Sequence, residues 1–117
     1  AEKPKPEPNP EEQIIQQGQP VYRWFKAVQT GDQELLKSVF SQRIRKSHDT
    51  TGWDKMMKTY QEVFQKDFGD YKLADLRFTY SGKAGAINGT VSVRVNGKDH
   101  HGLRVINEKG DWKVDER

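Results

Sequence analysis

A chain of 117 residues, 32% charged and 32% hydrophobic, has room for one domain with a workable core of its own. It contains no cysteine, which excludes disulfides, thiolate zinc sites and a cysteine nucleophile. The net charge of +3 is uneven: Lys3 and Lys5 face Glu2, Glu7, Glu11 and Glu12 in the first thirteen residues, so that stretch carries −2 and the rest +5. Such a mild excess is far from the dense basic face of a dedicated nucleic-acid binder, and no nucleic acid is expected as a partner. No apolar run approaches the length of a transmembrane helix.

Residues 1–12 alternate proline with charged residues and read as an extended Pro/Glu/Lys-rich tail or linker, with 13–117 as a single α+β domain. The chain opens at Ala1 without an initiator methionine, which reads as a processed or trimmed form. Asn9, Pro10 and Glu12 form a helix-start signal, and Gly18 and Pro20 interrupt the helix it would begin. Val21, Trp24, Phe25 and Val28 then share one helical face. Thr30-Gly31-Asp32 ends that helix and caps the next, which aligns Leu35, Leu36, Val39 and Phe40. A third helix starts near Thr50 or Thr51 and is expected to bury Trp53, Met56, Met57, Tyr60, Val63 and Phe64, with Gly69 as its stop.

Past Gly69 the period falls to two. Leu76, Phe78 and Tyr80 alternate with polar residues, as do Ile87, Val91, Val93 and Val95, then Leu103 and Val105, then Trp112 and Val114. This pattern describes antiparallel strands with one covered face and one wet face. Three N-terminal helices followed by a meander of about four strands make an α+β domain. At Asn96-Gly97 a two-residue turn would put Leu103 and Val105 on the face opposite the valines. A three-residue loop with a glycine bulge restores one apolar face. It sets Val91 opposite His101 and Gly89 opposite Leu103, with His101 covered and His100 on the open side.

The run from Ala27 to Leu36, AVQTGDQELL, and the ending Asn107-Glu108-Lys109-Gly110-Asp111-Trp112-Lys113-Val114 resemble the nuclear-transport-factor-2-like superfamily. With the Pro-rich tail, the chain is most similar to its lipoprotein-type bacterial members. The resemblance implies a cone, in which helices fold over a strongly curved antiparallel sheet that often encloses a pocket. It also implies an extracytoplasmic setting, periplasmic or at the cell surface, with membrane attachment only through an anchor outside this chain. The superfamily hosts isomerases, dehydratases, hydrolases and adaptors, so the fold by itself names no activity.

The covered strand positions are almost all hydrocarbon, which argues against an acid–base centre. The pocket candidates are Trp24, Tyr60, Phe78, Tyr80, Val93 and His101, and they describe a site for an apolar small molecule. His101 with Tyr80 is the one inward polar pair, able to orient a carbonyl or shuttle a proton in an isomerase- or hydratase-type enzyme; both also read as core-edge residues. His100 and His101 are adjacent on a strand and point to opposite faces, so no metal is expected. Arg43, Arg45 and Lys46 form the densest basic run, either a weak polyanion site or a solvated connection. Asn88-Gly89-Thr90 matches a glycosylation acceptor, a motif common by chance. The open face, with Arg77, Thr79, Thr90, Ser92, Arg94 and Arg104, is a candidate homodimer surface whose charge favours a weak one. The sequence thus points to a binding domain without a catalytic residue or cofactor, whose partner is an apolar small molecule or a protein.

Overall fold

A computed structural model of the chain describes residues 14–95 and 97–115, apart from the side chain of His101. The tail, the helix start at Asn9 and the turn residue Asn96 lie outside the described residues. The fold is α+β: helices first, then an antiparallel meander.

After a 3-10 turn at Gln16–Gly18, α1 (Gln19–Thr30) carries Pro20 in its first turn, where a missing N–H is harmless. It buries Val21, Trp24, Phe25 and Val28, the stripe that the spacing predicts. Gly31 ends it at φ 71°, a left-handed conformation that favours glycine. Asp32 then caps α2 (Gln33–Val39) by accepting from the Leu35 amide at 3.1 Å.

The chain next forms α3 (Gln42–Thr51) and only then α4 (Trp53–Phe68), so there are four α-helices among the described residues and not three. The periodicity argument misses α3 because its buried stripe is only Ile44 and His48 in an otherwise polar segment. Tertiary contacts hold it instead. Ser41 caps it, accepting weakly from the Ile44 amide at 3.5 Å, and donates its hydroxyl to Asp115 at 2.6 Å. Two expected core positions also differ: Val63 of α4 is 43% exposed and Ile87 is 62% exposed. Ile87 precedes the strand that its spacing suggested it would join.

Strands β1 (Arg77–Ser81), β2 (Asn88–Val95), β3 (Lys98–Glu108) and β4 (Asp111–Val114) pair in sequence order. The free side of β4 is covered by Phe40, which bridges Val114, and the Ser41 amide donates to the Val114 carbonyl at 2.8 Å. That pairing protects an edge and ties the helical half to the sheet.

The hairpin register corrects the predicted one. Val95 pairs with Lys98, so two residues make the turn, and Val93 pairs with His100. The extra residue is stored further along β3: Val91 faces Leu103 and Gly89 faces Val105, with a bulge opposite Ser92 at His101–Gly102. A single apolar face is kept, as the pattern demands, by a bulge inside the strand and not at the turn. Glycine permits it there, because a Cβ on Gly102 would sit 1.8 Å from Thr90 Cγ2. His100 consequently lies on the covered face, contrary to the sequence expectation.

Candidate functional site

Helix α4 packs on α1, α2 and α3. Where it faces the β2–β3 hairpin, a pocket of about 300 Å³ opens. Trp24 and Phe25 of α1 form its inner end, Tyr60, Phe64 and Phe68 of α4 one wall, and Val93, His100 and Leu103 the sheet side. Thr59, Val63 and Asp67 complete the lining. Exposed Val63 therefore has a place: it is apolar surface lining the pocket.

The aromatic wall is rigid because its rings interlock. Trp24 meets Tyr60 edge-on at 5.1 Å and Phe40 at 5.3 Å, and it lies 5.5 Å from Phe64. Phe68 in turn meets His100 at 4.5 Å, nearly perpendicular, which fixes the imidazole against the pocket.

Two polar features distinguish this site. His48, only 2% exposed, places Nε2 2.6 Å from the Tyr60 hydroxyl, with Phe40 and Trp53 against its ring. Burial raises the Tyr60 pKa well above its ordinary 10.0, so the phenol stays neutral and the direction of this hydrogen bond follows the imidazole tautomer. The second feature is Trp24, 5% exposed, whose Nε1–H meets no acceptor among the described residues. A buried unsatisfied donor costs about 1–3 kcal/mol, and native structures contain few of them.

A second concavity of similar size, about 330 Å³, lies beside Val28, Gln61, Gly69 and Tyr71. Two of its amides are engaged: Gln29 donates to the Tyr71 carbonyl at 2.7 Å and Gln61 to the Val28 carbonyl at 3.3 Å. Tyr71 donates to the Phe25 carbonyl at 2.7 Å, and burial pushes its pKa up to about 12. These groups brace α1 against the segment after α4.

Of the pocket candidates read from sequence, Trp24, Tyr60 and Val93 line the pocket together. Phe78 instead packs over Gly18, where a Cβ would come within 2.9 Å of it. Tyr80 lies across Gly89 toward Trp112, ring centroids 5.6 Å apart, and donates to the Asn88 carbonyl at 3.3 Å. Neither is in the lining, and the side chain of His101 is outside the described residues. Sequence reasoning misses His100 because it places the bulge at the turn. It misses His48 because the one signal, a spacing of four residues after Ile44, sits in a charged run.

The basic run lies along α3. Arg43 is tied to Asp115, 3.3 Å to the carboxylate and 3.1 Å to the carbonyl, while Arg45 and Lys46 are exposed. On the open face, Arg77 turns back to the Ala74 and Leu76 carbonyls, and Arg94 pairs with Asp99 at 3.3 Å. Among the described residues no cluster of three or more His, Asp or Glu could hold a metal, and no helix is long and apolar enough to cross a membrane. No family model matches the chain, and neither a curated protein nor a solved structure matches it.

Proposed function

We propose that this chain is a non-enzymatic ligand-binding domain that takes an apolar small molecule between α4 and the β2–β3 hairpin. The observation that carries the reading is the 300 Å³ pocket walled by Trp24, Phe25, Tyr60, Phe64, Phe68, Val93 and Leu103. Apolar walls with a few polar groups at fixed places are what small-molecule sites generally present. Under the resemblance to the nuclear-transport-factor-2-like superfamily, the pocket corresponds to the mouth of the expected cone, although the meander that floors it is not strongly curled. The tail of residues 1–12 then serves as a spacer holding the domain outside the cytoplasm, a reading that its proline alternation supports. A protein partner or a second copy on the open sheet face is compatible with this role, though Arg77 directly opposite Arg94 disfavours a tight dimer there.

An isomerase- or hydratase-type alternative loses its Tyr80 partner, since Tyr80 is engaged with Asn88. It would now rest on Asp67 and His100, which both line the pocket.

The test is native mass spectrometry of protein purified from its own host, before and after denaturation. The expected result is a small molecule released only on denaturation and absent from Leu103→Trp, which fills the pocket from β3. A bare chain at the calculated mass, with no apolar probe bound in titration, would remove the proposal. Chemical conversion of the released molecule by the native protein would favour the enzyme.

A further inference from the structure

Two ridges of α4 face the pocket. Tyr60, Phe64 and Phe68 recur every four residues and form its aromatic wall, while Thr59, Val63 and Asp67, all exposed, recur beside them and form its lip. Among the described residues of the lining, Asp67 brings the one formal charge. It stands in the last turn of α4, where the backbone carbonyls already make a negative pole. A carboxylate there weakens the helix, and no cation among the described residues pairs with it. Lys58 and Lys66 lie over the outer groove of α4 with Gln61, Glu62 and Gln65, and Lys98 of β3 is outside the lining. Nothing in the packing of the helix accounts for an acid at this place. The rest of the mouth has the same character. His100 is half-buried, held edge to face by Phe68 at 4.5 Å, and its ring nitrogens meet no partner among the described residues. A neutral imidazole and the Thr59 hydroxyl each offer a further acceptor.

We propose that the ligand is a cationic amphiphile: a primary ammonium head held at the mouth by Asp67, on a compact apolar body seated between Tyr60, Phe64 and Val93. This rests on the pocket being the binding site. An ammonium carries three donors and accepts nothing, which suits a mouth built of acceptors. Its charge stays at the lip, where Asp67 is exposed, so neither partner is fully desolvated. The ring of Phe68 beside the head adds a cation–π attraction that a neutral or anionic head does not receive. An anion would instead meet both the carboxylate and the negative pole of α4. The 300 Å³ volume limits the body to about two rings and leaves no room for a long chain.

Three probes with the same ring system and a short arm test this on the full chain: 2-(2-naphthyl)ethylamine, 2-(2-naphthyl)ethanol and 2-naphthylacetate. In calorimetric titration at neutral pH and low salt, the amine, present as its ammonium, is expected to bind about fivefold to tenfold more tightly than the alcohol. The carboxylate should bind more weakly than both, and added salt should shrink the preference because the pair is exposed. Asp67→Asn keeps the shape of an exposed side chain and should reduce the preference for amine over alcohol to about twofold or less. An alcohol or carboxylate that binds as tightly as the amine, or a preference that survives Asp67→Asn, overturns the assignment while leaving the pocket. Failure of all three probes to bind would instead overturn the pocket reading, and this inference with it.

Discussion

The buried contact between His48 and Tyr60 makes a quantitative demand on stability. Tyr60→Phe removes a hydroxyl 2.6 Å from His48 Nε2 without changing the ring that packs on Trp24. With His48 only 2% exposed, water cannot replace that hydroxyl without opening the α3–α4 junction. The loss is therefore the cost of stranding a buried polar atom, about 1–3 kcal/mol, and not the few tenths expected at a surface. His48→Leu strands the phenol in the same way and costs a similar amount. The double variant removes both polar groups and should cost less than the sum of the two, with a coupling of about 1–2 kcal/mol. In a domain of this size each kcal/mol lowers Tm by about 4–8 °C. Urea unfolding followed by tryptophan fluorescence reads the cycle directly, since Trp24 and Trp53 flank the pair. Additivity within about 0.3–0.5 kcal/mol would show that the two groups do not depend on each other, and the reasoning would fail.

Two further outcomes rest on the same physics. Unfolded tyrosine ionises near pH 10.0, whereas Tyr71 holds its proton to about 12 and Tyr60 beyond that. The native state thus binds more protons than the unfolded one above that pH, and stability is full below pH ~10 and falls as pH rises, by up to about 1.4 kcal/mol per pH unit for each tyrosine. Urea midpoints across that alkaline range should decline steeply, and Tyr71→Phe should flatten part of the decline; identical profiles for the two proteins would contradict it. At the bulge, Gly102→Ala should cost about 1–3 kcal/mol by overpacking, and Thr90→Ser, which removes the Cγ2 methyl 1.8 Å from the new Cβ, should restore most of it in the double variant. A thermal melt of Gly102→Ala that matches the parent would place the bulge elsewhere.

Much of the architecture is legible in the chain because the physics behind it is local. The i, i+3, i+4, i+7 stripe of Val21, Trp24, Phe25 and Val28 needs no partner to be recognised, and Gly31-Asp32 is a stop and a start in adjacent residues. The same holds for the strands, where alternation through Val91, Val93 and Val95 assigns a covered face. From these the α+β order, the helix stripes and three of the pocket-lining residues, Trp24, Tyr60 and Val93, can be read. Local rules run out where the stabilising contact lies far away in sequence. Helix α3 has too few apolar residues to announce itself, and it is held by Ser41 reaching Asp115, which lies 74 positions later, and by His48 reaching Tyr60.

The pocket depends on a single bulge. Because side chains alternate along a strand, moving the extra residue from the turn to His101–Gly102 brings His100 onto the covered face and Leu103 opposite Val91. The clue is present as Gly102, but its meaning requires knowing that Thr90 lies over it across the sheet. Composition and periodicity by themselves determined that this protein has helices, a meander and an aromatic-rich core. Only the tertiary structure decided that α4 leaves a space against the hairpin, and that Trp24 is buried there with its N–H unanswered. Burial and hydrogen-bond satisfaction are properties of the whole packed chain, which no sequence window contains.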